Sequence, residues 1–236
     1  FMVFIKSTLM DSSFRILVLS LLASFILVSC NQETGAPTSK IQNQLDAASE
    51  YIEGKHYTQL KEPVPTRDPT KVEVIEFFWL SCGHCFNVER LVSVWKKSLS
   101  KDIDFYQTHI TWNASAETQA RLMYTARALG IESEAITGAF QAIHMERQLM
   151  SGQSELESFF RGLGVQTERY TSISSSFGVN NAVSQADKRM KSFKIKSVPA
   201  FIVNGKYKVE GLGAAELLEV VDFLIEKERP YLSSLN

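Results

Sequence analysis

The chain is poor in the residues that build metal-held or heavily cross-linked frameworks: its 236 residues include three cysteines and four histidines. A structural zinc site needs four ligands, and His56, His109 and His144 are scattered singly, so no metal site is expected. Neither sign of charge is in excess. With 25 Lys and Arg against 26 Asp and Glu, the net charge is −1, which leaves no basic footprint for a nucleic acid to meet. Long apolar runs are missing too: Ile16 to Val28 covers 13 residues where about 20 are needed to span a bilayer. Of the six prolines, Pro63, Pro65 and Pro69 fall together and mark an irregular connection. What remains, 44% hydrophobic and 11% aromatic, is enough for one core, or one core with an inserted subdomain.

Two of the cysteines stand in Ser81-Cys82-Gly83-His84-Cys85, and the chain is organised around them. Val72 to Leu80, just before, is nearly continuous in β-branched and aromatic residues, the composition of a strand covered on both faces. From Val88 onward Leu91, Val92, Trp95 and Leu99 recur at helical spacing, so the motif falls where strand gives way to helix. Unpaired N–H groups and a partial positive charge at a helix start favour a thiolate. Cys82 is therefore the expected attacking sulfur, with a depressed pKa, and Cys85, one turn in, the resolving thiol. His84 between them can donate to the thiolate or, when charged, stabilise it further. Gly83 leaves room for a partner chain to come close.

Glu76-Phe77-Phe78, then Cys82-Gly83-His84-Cys85-Phe86 and Glu89, resemble the strand and active-site helix of the DsbA family of thioredoxin-fold oxidases. Val198-Pro199-Ala200-Phe201-Ile202-Val203-Asn204-Gly205-Lys206-Tyr207 is similar to the second signature of that family, and the likeness runs from about Gly54 to Tyr231. The resemblance implies an α/β thioredoxin fold with an inserted helical subdomain. It also implies a cis Val198-Pro199 bond against the cysteines, where Val198 offers backbone groups to an extended substrate. It gives Glu76, on one face with Val72, Val74 and Phe78, a place beneath the active site, where it can take the proton of Cys85; the alternative is an acid that reaches solvent at the sheet edge. Two departures stand out. The family usually has proline where Gly83 stands, Gly-His being the dipeptide of protein disulfide isomerases, and Gln107 stands where a lysine partner of the buried acid is usual.

The first thirty residues read as an export signal: Lys6 and Arg15 precede the apolar run, and Leu27-Val28-Ser29-Cys30 resembles a bacterial lipobox, with lipidation of Cys30. An ordinary cleaved signal with a chance cysteine is the alternative. Residues 1–29 are then a signal peptide and 30–53 a lipidated, polar tether. Export implies an oxidising compartment, and lipidation of Cys30 leaves only Cys82 and Cys85 for chemistry. Asn31 is not the aspartate of inner-membrane retention, so either membrane could hold the anchor.

The domain itself divides as 54–114, a helical insert at 115–196, and 197–236. Gly54 to Leu60 is expected as an edge strand and Asp102 to Ile110 as a parallel partner of the central strand. His109 near its end is expected to pack in the core. Helical patterns then follow one another: one opened by Ser115 and Glu117 and ended by Gly130, one on Ile136 and Phe140, one on Leu156 and Phe160 stopped by Gly164, one capped by Thr167, and one through Val179, Val183 and Met190. Lys188 to Lys196 reads as a solvated basic face. Ala200 to Val203 and Lys206 to Glu210 form a hairpin about a type I′ Asn204-Gly205 turn, and a final helix from about Gly213 is expected to stop at Pro230.

The function expected is that of a periplasmic, lipid-anchored, monomeric thiol:disulfide oxidoreductase that uses no cofactor. By the resemblance its partners are reduced exported proteins and a DsbB-like membrane reoxidant. With Gly-His between the cysteines, a potential nearer the roughly −180 mV of protein disulfide isomerase than the roughly −120 mV of DsbA is expected. The rivals are an isomerase or reductase, and a lipid-anchored thioredoxin-fold chaperone.

Overall fold

The computed structural model describes residues 51–233. Cys30, the signal segment and most of the tether lie outside the described residues.

A five-stranded mixed sheet, in the order β1-β5-β4-β2-β3, forms the scaffold. β2 (Val72–Phe78) is buried along its whole length, as its run of β-branched and aromatic residues requires. It pairs in parallel with β3 (Ile103–His109), and the crossover between them is α1 (Gly83–Ser98). On its other side β2 pairs antiparallel with β4 (Ala200–Val203), which turns back into β5 (Tyr207–Glu210); the short edge strand β1 (Thr58–Gln59) pairs with β5. Alternation along β2 divides the core. Val72 and Val74 face α1 and the final helix, meeting Val88, Val92, Leu217, Val221 and Leu224. Ile75 and Phe77 face the other way, onto Met190, Phe193 and Ile195.

Between β3 and β4 run five helices, α2 (Ala114–Leu129), α3 (Glu132–His144), α4 (Gln153–Gly162), α5 (Thr167–Ser174) and α6 (Phe177–Ser192). They gather Leu122, Phe140, Leu156, Phe160 and Tyr170 into a core of their own, which also takes in Phe78, Leu80 and Cys85 at the end of the sheet. The thioredoxin fold with a helical insert is therefore present, and the active-site cysteine is where the two cores meet.

Local signals mostly acted where they stood. Asn204 and Gly205 have φ of 50° and 63°, as a type I′ turn demands. At Gly205 a Cβ would lie 1.9 Å from the Val64 carbonyl oxygen, so only glycine lets Val64 N–H reach Gly205 O at 2.9 Å. Some details differ. Asn113, not Ser115, caps α2, accepting from Ala116 N–H at 2.9 Å. Thr167 is the first helical residue and makes no cap; its hydroxyl donates to Glu157. Pro230 does not end the last helix, α7 (Ala214–Ser233): proline removes one backbone donor, but its φ is helical, so the coil continues through it. The basic stretch is not wholly solvated either. Arg189 leans over Tyr106, with its guanidinium 3.7 Å from the buried Glu73 carboxylate.

Candidate active site

β2 ends at Phe78, and a tight turn follows in which Cys82 N–H donates to Trp79 O at 2.9 Å. Cys82 is the N-cap of α1, with an extended backbone (φ −87°, ψ 117°), and its Sγ accepts the Cys85 N–H at 3.4 Å. The sulfur thus takes the place an oxygen holds in an ordinary helix cap.

The two free thiols lie three residues apart in opposite surroundings. The pKa of Cys82 is lowered to about 6. The Cys85 thiol, donating to it, is the largest cause; partial burial opposes, and the N–H groups of Cys85 and His84 and the charge of His84 assist. Cys85 is 1% exposed. Burial first, and the neighbouring Cys82 second, push its thiol far above the ordinary range. At neutral pH the pair therefore carries one thiolate, and it sits on the outer sulfur.

Val198 and Pro199 close the other side. The Val198-Pro199 bond is cis, and the Val198 carbonyl lies 3.6 Å from Cys82 Sγ as an acceptor. Beneath, Glu76 is 1% exposed and faces α1, so the alternative of an acid reaching solvent at the sheet edge does not hold. Gln107, opposite Glu76 in the β2–β3 register, donates its Nε2 hydrogens to Glu76 at 2.8 Å and to Glu89 of α1 at 2.9 Å. Burial raises the pKa of both acids, and their mutual repulsion raises that of Glu76 further. Once ionised, Glu76 also raises the Cys85 thiol.

Sequence reasoning found Cys82, Cys85, His84, Glu76, Val198 and Pro199, and the structure brings all six to one end of the sheet. It missed Glu89 as a partner of Glu76, and it missed the residues that hold the turn. His109 is the buried core histidine expected, and its Nε2 also accepts the Leu80 N–H at 3.0 Å while Nδ1–H donates to Ile110 O at 2.7 Å. Burial lowers its pKa to about 4, which keeps it neutral. His144 and Gln119 reach the same turn from the insert. Among the described residues no group of three His, Cys, Asp or Glu side chains could hold a metal ion, and no helix is long and apolar enough to cross a membrane.

Known proteins resemble this chain in sequence and in fold. The family model of the DSBA-like thioredoxin domain matches residues 87–224, beginning two residues after Cys85. The thiol:disulfide interchange protein DsbA of Pseudomonas aeruginosa is 33% identical over 186 residues, 77% of this chain and 88% of that protein. The chain belongs to the DsbA family. The crystal structure of Pseudomonas aeruginosa DsbA superposes with a TM-score of 0.75 at 32% identity, covering 79% of this chain and 98% of that one. For the oxidoreductase DsbA of Xylella fastidiosa the TM-score is 0.72 at 26% identity, over 76% and 98% of the two chains. As a DsbA-family member the chain is a thiol:disulfide oxidoreductase.

Proposed function

We propose that the chain introduces disulfide bonds into exported proteins through Cys82 and Cys85. The observation that carries this reading is the opposed pair of thiols: an outer sulfur whose pKa is lowered to about 6 and an inner one held protonated. A substrate thiolate attacks Cys82 of the Cys82–Cys85 disulfide; the S–S bond breaks and Cys85 leaves as a thiolate that takes up a proton. The second substrate thiolate attacks its own half of the mixed disulfide, and Cys82 departs with the electron pair. The substrate loses two electrons and the enzyme gains them. A low pKa makes Cys82 the better leaving group and stabilises the reduced enzyme, which is what makes such a pair oxidising.

His84 supports the thiolate by its charge and its N–H. Glu76 exchanges the proton of Cys85 as that sulfur leaves or attacks. Val198 and Pro199 receive the substrate backbone beside the mixed disulfide. A DsbB-like membrane protein returns the enzyme to its disulfide form. The site lies in the periplasm on a monomer made of residues 54–114, the insert 115–196 and residues 197–236. It is tethered through residues 30–53 to a lipid on Cys30, once the signal at 1–29 has been removed.

One observation favours a second reading, that of an isomerase or reductase. A side chain at Gly83 would meet nothing within 4 Å, so packing does not demand glycine there. The Gly-His dipeptide then reflects a choice of redox poise, nearer about −180 mV than about −120 mV. Oxidation of reduced ribonuclease, set against reactivation of scrambled ribonuclease, separates the two. A faster first reaction and a glutathione equilibrium more oxidising than that of thioredoxin (about −270 mV) support the oxidase; the reverse order on ribonuclease overturns it.

A further inference from the structure

The turn that presents Cys82 is gripped from several sides. Leu80 N–H is held by His109 of β3. Leu80 O accepts from Nε2–H of His144, the last residue of α3, at 2.8 Å, and the same imidazole stacks on Phe86 of α1 with ring centroids 4.7 Å apart and planes 10° from parallel. Ser81 Oγ accepts from Nε2 of Gln119 of α2 at 2.7 Å, and that amide also donates to Leu149 O at 3.1 Å. Two of the three gripping side chains come from the insert, and they bracket the cysteines: Leu80 and Ser81 before, Phe86 behind.

Two features set these contacts apart from packing. Gln119 is wholly buried, yet its Oε1 has no partner among the described residues. A leucine would fill that space without an orphan acceptor, so what the position uses is the amide's donors. The segment that Gln119 ties at Leu149 holds Arg147 and Met150 in the left-handed region, at φ 60° and 52°. Residues with a Cβ stay there only where their surroundings over-determine them.

We propose that His144 and Gln119 are positioning residues for the nucleophile, through which the helical insert fixes Leu80 and Ser81 and keeps Cys82 Sγ facing the N–H groups at the start of α1. The insert then sets the reactivity of the sulfur as well as covering it. The Cys85 N–H stands 3.4 Å from Sγ, and hydrogen bonding weakens steeply with distance and angle, so a small slip of the turn weakens the support of the thiolate. This rests on Cys82 being the attacking sulfur.

The test uses the full reduced chain, with Cys82 titrated by thiolate absorbance and by alkylation rate. His144→Ala and Gln119→Leu are each expected to raise the midpoint by about one pH unit and slow alkylation at pH 6 about fivefold. His144→Gln, whose amide can still donate to Leu80 O, is expected to recover at least half of that change. Phe160→Leu, in the insert's core where Phe160 stacks on Tyr170, is expected to lower the melting temperature and leave the titration alone. Midpoints of both His144→Ala and Gln119→Leu within about 0.2 of wild type overturn the proposal, as does an equal change in Phe160→Leu. A wild-type chain that titrates like a free cysteine overturns the assignment of Cys82 as well, so the two failures are distinguishable.

Discussion

Cys82 and Cys85 are the same chemical group three residues apart, and their surroundings drive them in opposite directions. Cys82 sits at the helix start, partly in solvent, with N–H groups and an imidazole around it. Cys85 is one turn deeper, walled by Phe78 and Leu80 and within electrostatic reach of the buried Glu76. The contrast shows that the direction of thiol chemistry is decided by position along the first helical turn, where a donor-rich end and a buried interior are one pitch apart.

Removing one sulfur at a time should break the comparison most severely. Cys82→Ser is expected to abolish exchange, with a loss of more than about a thousandfold, the order seen when a nucleophile is deleted. Cys85→Ala cannot form the internal bridge, so its Cys82 thiolate attacks a substrate disulfide and one substrate sulfur leaves as a thiolate. The mixed disulfide accumulates because no inner thiol releases it, seen as adducts on a non-reducing gel. Adducts that survive Cys82→Ser and vanish in Cys85→Ala would reverse the roles.

The pH profile sharpens the same contrast. With the Cys82 pKa near 6, about nine-tenths of the sulfur is ionised at pH 7 and about a tenth at pH 5, so iodoacetamide alkylation should fall roughly tenfold between them. A free cysteine near 8.5 would fall about a hundredfold, and that result would remove the asymmetry.

A smaller effect comes from beneath. Burial raises the Glu76 pKa above its free value of 4.5, so the unfolded chain releases this proton first and stability falls as pH rises from about 4.5 through the raised folded value. Glu76→Gln should flatten that slope and gain about 1 kcal/mol at pH 8, measured by urea unfolding at pH 5 and pH 8. Equal slopes in both chains would show that the acid does not carry its proton into the folded interior.

The parts of the fold legible in the sequence were those specified locally. The β-branched run of β2, the Asn204-Gly205 turn and the three-four spacing of the helices each act within a few residues. The CxxC sits where one period gives way to another, which made Cys82 readable as the sulfur at a helix start, though its role as the cap came from the structure. Caps were harder where candidates crowd: Ser115 was the expected opening, and the helix starts two residues earlier, on Asn113. The grip on the turn could not be read at all. His144 and Leu80 are 64 residues apart, Gln119 and Ser81 are 38 apart, and no period or motif joins them. Gln107 was half legible: the family resemblance set it where a partner of the buried acid is usual, and the β2–β3 register places it opposite Glu76, but its hold on Glu89 needed the packing of α1 onto the sheet.

β3 is an edge strand, and its Gln107 carbonyl is occupied by the Arg127 guanidinium at 2.9 Å, itself paired with Glu132. An exposed strand edge is a ladder that loose segments of other chains can join. Such a segment would have to evict Arg127 before it could zip on beside Gln107, so an added strand cannot pair at that point of the rim while the Arg127–Glu132 pair holds.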